Sequence, residues 1–182
     1  MDPLKAYKIA FIGLSNGTHR FTFDVGPDFF ACFESPDIGQ SAIHLDVSME
    51  KENNMLVFDF DFGGWVELVC GRCLDGFKAP VNHQHRLYVK FGEVHDEQSE
   101  EVVIIPHTES HVDLAQYVYE FIHLELPLQA VHPDDAPGVP GCDPDMLRRM
   151  KEHEPPRAGE KDGPGDDSPF GALRKLRFDE DN

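Results

Sequence analysis

A chain of 182 residues, 40% hydrophobic with 14 phenylalanines, can bury one core and still leave a tail. Sixteen Lys and Arg against 34 Asp and Glu give a formal net charge of -18, which repels phosphate backbones and favours basic partners, so naked nucleic acid is a poor match to the molecule as a whole. No apolar run suits a membrane helix, the N-terminus lacks a signal-peptide pattern, and four cysteines do not make a disulfide framework; together these predict a soluble, cytoplasmic protein.

The first half reads as strand. Tyr7 to Leu14 is followed by Ser15-Asn16-Gly17, whose Asn-Gly pair predicts a hairpin into Thr18 to Val25, where Phe21 and Phe23 alternate with Thr22 and Asp24. Pro27 to Phe33 predicts a short helix with Pro in its first turn and Cys32 as a small buried hydrophobe. Ser41 to Glu50 alternates strictly, with Ile43, Leu45, Val47 and Met49 on one side and His44, Asp46, Ser48 and Glu50 on the other. Asn53-Asn54 turns the chain into Met55 to Phe62, and Gly63-Gly64 predicts a second turn into Trp65 to Cys70.

The chain returns from Cys70-Gly71-Arg72-Cys73 through Phe77 to Phe91, with Leu87, Val89 and Phe91 opposite in sense to Arg86, Tyr88 and Lys90. Glu93 to Glu100 reads as a polar connection, and Glu101 to Pro106 as a short apolar strand needing cover on both faces. Asp113 with Gln116 has capping-box spacing ahead of Leu114, Tyr117, Val118 and Phe121 at helical period, and Pro127 stops that helix. The pattern predicts an α+β fold: a mostly antiparallel sheet or partly open barrel with one covering helix and a flexible C-terminal tail.

Domain organisation follows composition. Residues 1–132 form the β-rich domain; from Pro133, prolines and glycines crowd in and apolar residues thin out, so 133–182 reads as a largely disordered tail with short helical stretches at Met146 to Glu154 and Phe170 to Phe178. The charge divides with it: 8 basic and 21 acidic residues through His132, 8 basic and 13 acidic after it. Basic residues in the tail cluster at Arg148-Arg149-Met150-Lys151 and around Arg174, Lys175 and Arg177, and a short basic helix of the latter kind often folds on a partner.

The Cys70-x-x-Cys73 pair carries the clearest chemistry. Two thiols at this spacing hold one metal or close a redox disulfide, and a structural zinc needs two further ligands. Cys142 and His132, on the far side of the helix, are the candidates; the four together would staple the start of the tail to the sheet. A dithiol catalyst instead wants its motif at a helix N-terminus. His83 and His85 share one strand face and read as polar positions on its wet side. No phosphate loop, nucleophile elbow or metalloprotease motif occurs, so no residue set supports an enzyme.

The order of features resembles the YceD-like family, the large ribosomal RNA subunit accumulation proteins. The resemblance is carried by the knuckle Val69-Cys70-Gly71-Arg72-Cys73-Leu74, by Val112-Asp113-Leu114-Ala115-Gln116 leading to Leu124-Glu125-Leu126-Pro127, and by Ser168-Pro169-Phe170 ahead of the basic segment. It implies a non-enzymatic role in accumulation or maturation of the large-subunit (23S) ribosomal RNA. Many members carry another C-x-x-C after the helix; this chain has Cys142 alone, preceded by His132. Combined with the acidic charge, the resemblance predicts an assembly factor that engages a basic ribosomal protein or assembly factor on a pre-large-subunit particle, with Arg174, Lys175 and Arg177 as a partner contact. A zinc-binding module of another pathway and a dithiol redox protein are the alternatives.

Overall fold

Alternation at period two decides the architecture, because a strand with one apolar side must lay that side on something. The computed structural model describes residues 3–33, 38–99 and 101–153. A 3-10 turn (Pro3–Tyr7) leads into β1 (Lys8–Ala10), β2 (Gly17–Val25), α1 (Pro27–Ala31), β3 (Ser41–Lys51), β4 (Met55–Val69) and β5 (Gly76–Gly92). Five short strands and two helices follow: β6 (Asp96–Ser99), β7 (Val102–Pro106), β8 (His111–Asp113), α2 (Ala115–Glu125), β9 (Asp134–Ala136), β10 (Val139–Pro140) and α3 (Pro144–Glu152).

Six strands form the main sheet in the order β2-β3-β4-β5-β7-β6, antiparallel throughout except where β7 runs parallel to β5. The sheet is open, not a closed barrel. Its inner face is built by Ile43, Leu45, Val47 and Met49 of β3, Leu56, Phe58, Phe60 and Phe62 of β4, and Val81, Leu87 and Val89 of β5, all buried. Helix α2 covers that face with Val118, Phe121 and Ile122, and the Phe121 ring stands edge-on to Phe60 at 5.2 Å. Burying each such side chain contributes about 1.5–3 kcal/mol. Phe29 and Phe30 of α1 and Ile9 of β1 join the same core.

Five expectations change. Gly63 and Gly64 do not turn the chain: β4 runs straight through them, paired with β3 from Lys51↔Leu56 to Ser41↔Val66. A Cβ on Gly64 would lie 2.2 Å from the Ala42 carbonyl oxygen and 2.7 Å from the Ile43 Cα, so that glycine serves close approach of two backbones. Asn16-Gly17 does not close a hairpin either. β1 pairs with β8, through Ile9↔Val112, while β2 spends its whole length on β3. A nine-residue partner outweighs a three-residue one, and the positive φ of Gly17 (122°) merely starts β2.

Cys32 is exposed, its Sγ 3.3 Å from the Asp28 carbonyl oxygen, because Phe29 and Phe30 take the buried side of α1. Helix α2 begins one residue later than its capping-box spacing suggests: Leu114 is the cap, the Asp113 carboxylate accepts the Ala115 N–H at 3.1 Å, and Gln116 turns instead to Glu120 at 2.6 Å. The β7 strand buries Val103 and Ile105 on one side only.

Backbone contacts divide the chain after Asp143. In the second unit, α3 carries no buried residue, and Arg148 bridges Asp145 at 3.1 Å along its own surface. Phe170 to Phe178 lies outside the described residues.

Candidate metal centre

The longest strands of the sheet, β4 and β5, are joined by the six residues Cys70 to Asp75, so the C-x-x-C is a hairpin turn and not a helix start. The Cys70 N–H donates to the Asp75 carbonyl at 2.9 Å and the Leu74 N–H to the Cys70 carbonyl at 2.9 Å. Closing the turn requires Leu74 at φ 66°, a left-handed conformation that glycine normally supplies, and its side chain stays 69% exposed.

The other half arrives from the end of α2. The chain leaves that helix at Leu126, ahead of Pro127, and comes back so that the Ala130 carbonyl accepts the Gly71 N–H at 2.7 Å. The β9-β10 hairpin, with Gly138 at φ 81°, then returns it once more, and Gly141 donates to the Pro133 carbonyl at 3.2 Å. Any Cβ at Gly141 would sit 2.4 Å from that oxygen, so glycine there is what lets Cys142 turn inward.

These three segments bring together the four side chains expected from spacing. Cys70, Cys73 and Cys142 are buried and His132 is half-buried, with their ligand atoms all within 4.8 Å of one another. The Cys70 and Cys142 sulfurs are 3.7 Å apart, and Cys73 Sγ is 3.3 Å from His132 Nδ1. Zinc–sulfur bonds of about 2.3 Å in a tetrahedron place neighbouring ligand atoms about 3.5–3.8 Å apart, so the donor set has the size and the chemistry of a structural zinc site. Four protein donors fill a tetrahedron without leaving a position for substrate. The Phe77 ring packs on the His132 imidazole at 5.0 Å and fixes its plane.

The local field treats Cys70 and Cys142 differently. Burial pushes the Cys70 thiol up, but the backbone N–H groups of Cys73, Arg72 and His132, together with the His132 side chain, outweigh it and bring it down to about 5. Burial pushes the Cys142 thiol up as well, and there its contacts with Cys70 and Cys73 add to the rise instead of opposing it, to about 11. Three sulfurs this close repel one another once ionised, and a bound divalent cation is what removes that repulsion.

The partner-contact residues expected in the tail, Arg174, Lys175 and Arg177, lie outside the described residues. Phe77 and Ala130, which seat the imidazole and the turn, carry no sequence signal of their own; the strand register Leu68↔Phe77 is what points Phe77 toward the knuckle. His83 and His85 are not on a wet face. They lie on the inner side of β5, His83 stacked on Phe62 at 4.6 Å and His85 on Phe121 at 4.4 Å, because strand parity places them in line with Leu87 and Val89.

Among the described residues no helix is long and apolar enough to cross a membrane. No curated protein and no solved structure matches the chain. The family model described as large ribosomal RNA subunit accumulation protein YceD matches residues 58–177, from near the start of β4 through the cysteine knuckle and α2 to the basic segment near the C-terminus. With about two-thirds of its length so matched, the chain belongs to the YceD family of large ribosomal RNA subunit accumulation proteins.

Proposed function

We propose that this protein is a non-enzymatic, cytoplasmic assembly factor that supports accumulation of the large-subunit ribosomal RNA by holding a basic ribosomal protein or assembly factor. The family match carries this reading. Charge supplies the route: a chain at -18 gains nothing from phosphate, whereas a Lys- and Arg-rich protein is attracted to it and shielded by it before delivery. The Cys70, Cys73, His132 and Cys142 cluster acts in this reading as a zinc staple that fixes the segment after α2 against the β4-β5 turn. Arg174, Lys175 and Arg177 supply a second contact, to the partner or to the particle.

The test is genetic and physical together. Deleting the gene lowers large-subunit relative to small-subunit ribosomal RNA, and the protein co-sediments with large-subunit precursors. Reversing Arg174, Lys175 and Arg177 to Glu weakens that co-sedimentation without unfolding the sheet. Unchanged subunit ratios, with no co-sedimentation at low salt, retire the assembly reading. The donor cluster would then favour a zinc-binding module of another pathway.

A further inference from the structure

The sheet has two faces and α1 and α2 cover only one. On the other, side chains of β2, β3, β4 and β5 point away from the core: Thr22 and Asp24, His44 and Asp46, Asp59 and Asp61, Gln84 and Arg86. Register sets Asp46 directly opposite Asp61 at the centre of this face. Like charges facing each other across a strand pair are destabilising, and nothing in the fold requires them there.

Each of these carboxylates has weak company. Asp46 accepts the Thr22 hydroxyl at 2.9 Å and lies 3.9 Å from His44, while Asp61 accepts the Gln84 amide at 3.1 Å. Asp24 is 93% exposed beside His44. Arg86 is taken by Asp59. A shallow concavity of about 420 Å³ runs over the same strands, lined by Asp46, Asp59 and Asp61 with Arg20, Gln84 and Arg86. Further along β4, on the same side, stands Trp65, the only tryptophan of the chain, with the Lys78 ammonium 3.7 Å from its ring centroid.

We infer that this face of β2–β5, which no helix covers among the described residues, is the docking surface for the basic protein, with Asp46 and Asp61 receiving a lysine or arginine of a Lys- and Arg-rich segment and Trp65 as the aromatic anchor at its end. The opposed carboxylates explain the choice of occupant: a cation seated between them converts a repulsion into two attractions, which an apolar or acidic partner cannot do. Tryptophan is among the side chains enriched where protein interfaces concentrate their binding energy. The inference rests on the adaptor reading and says which side of the molecule performs it.

The experiment uses the full chain and a synthetic Lys- and Arg-rich peptide of about 20 residues, followed by Trp65 fluorescence and by backbone amide shifts. Wild-type protein binds the peptide with amide shifts on Thr22, Asp46, Asp61 and Gln84. The double variant Asp46→Asn/Asp61→Asn binds about fivefold more weakly or worse, as expected for two lost charge contacts, while its melting temperature is equal or higher because the opposition is gone. Glu109→Gln/Glu120→Gln removes the same charge away from this face and leaves the affinity within about twofold of wild type.

Equal weakening by both double variants, or shifts centred on α2, overturns the docking surface. So does a ribosomal RNA fragment that quenches Trp65 and competes with the peptide. If the protein meanwhile still co-sediments with large-subunit precursors, the adaptor reading survives the loss of this surface. Absence of both peptide binding and co-sedimentation ends both.

Discussion

Gly64 shows how a single residue sets the sheet. Its neighbours across the strand are backbone atoms, the Ala42 carbonyl and the Ile43 Cα, and neither can swing aside as a side-chain tip can. Gly64→Ala should therefore force β3 and β4 apart at Ile43↔Gly64, near one end of their pairing, and destabilise by about 3 kcal/mol, read as a lowered denaturant midpoint. Gly63→Ala, where only the Asn82 side chain lies within 4 Å of the added carbon, should cost far less, so the pair provides its own control. The cysteines act at the same scale. Cys73→Ser should abolish stoichiometric zinc as purified, since the remaining two thiolates and one imidazole leave a coordination position empty, and should lower the melting temperature by removing the staple. Zinc-free wild-type protein that melts normally would leave the four side chains as packing residues and leave the ribosomal reading untouched.

At the scale of elements, the contact between α2 and the sheet contains an unusual pair. His83 and His85 fill inner positions that Leu or Val would ordinarily hold, and neither His83 nitrogen has a hydrogen-bond partner among the described residues. Burial lowers the His83 pKa below 6.5, His85 lowers it further, and Glu125 of α2, 3.9 Å away, opposes the shift; burial likewise lowers His85, against Glu125 and Glu101. Groups that are harder to protonate in the folded state than in the unfolded one withdraw stability as protons are added. The stability they allow is therefore complete above pH 6.5 and drains as pH falls from there toward their folded values. Between about pH 5 and 6.5, His83→Phe should show a shallower loss of unfolding free energy than wild type. An identical slope would mean that His83 titrates normally in the folded protein. This pair also marks where sequence reading stops. Period two gave the strands, the apolar side of β3 and β4, the knuckle and the end of α2 at Pro127, because each is written locally. Which strand pairs with which is not local: β1 leaves its neighbour in sequence for β8, and two glycines that look like a turn prove to lie inside β4, one of them against the backbone of β3. Polarity misleads in the same way at His83 and His85, which are polar by composition and inner by register. The juxtaposition of Cys70, Cys73, His132 and Cys142 is legible because few thiols and imidazoles are available as candidates, even though the segments that bring His132 and Cys142 home depend on turns at Gly138 and Gly141.

For the whole molecule, the question is where the folded part ends. Composition puts the domain boundary at His132, where prolines and glycines begin. Cys142 lies ten residues beyond, buried against Cys70, and its segment has little else to hold it: β9 and β10 are exposed along their length and pair through only two registered positions. The attachment of residues 133–142 to the sheet is therefore carried by sulfur and imidazole, not by a hydrophobic face. If those donors hold zinc, the metal decides the boundary. Limited proteolysis of the protein as purified should leave a stable fragment ending after Cys142 and before about Lys151, because the turn before Cys142 is protected and the chain beyond Asp143 forms a separate unit. Treatment with a chelator should move the cleavage back toward His132, and re-addition of zinc should restore the longer fragment. Mass spectrometry of the limit digests reads the two end points directly. A digest whose end point ignores the chelator would assign the burial of Cys142 to packing alone, and a first cut between Ser41 and Phe91 would show that the strands on either side fold independently.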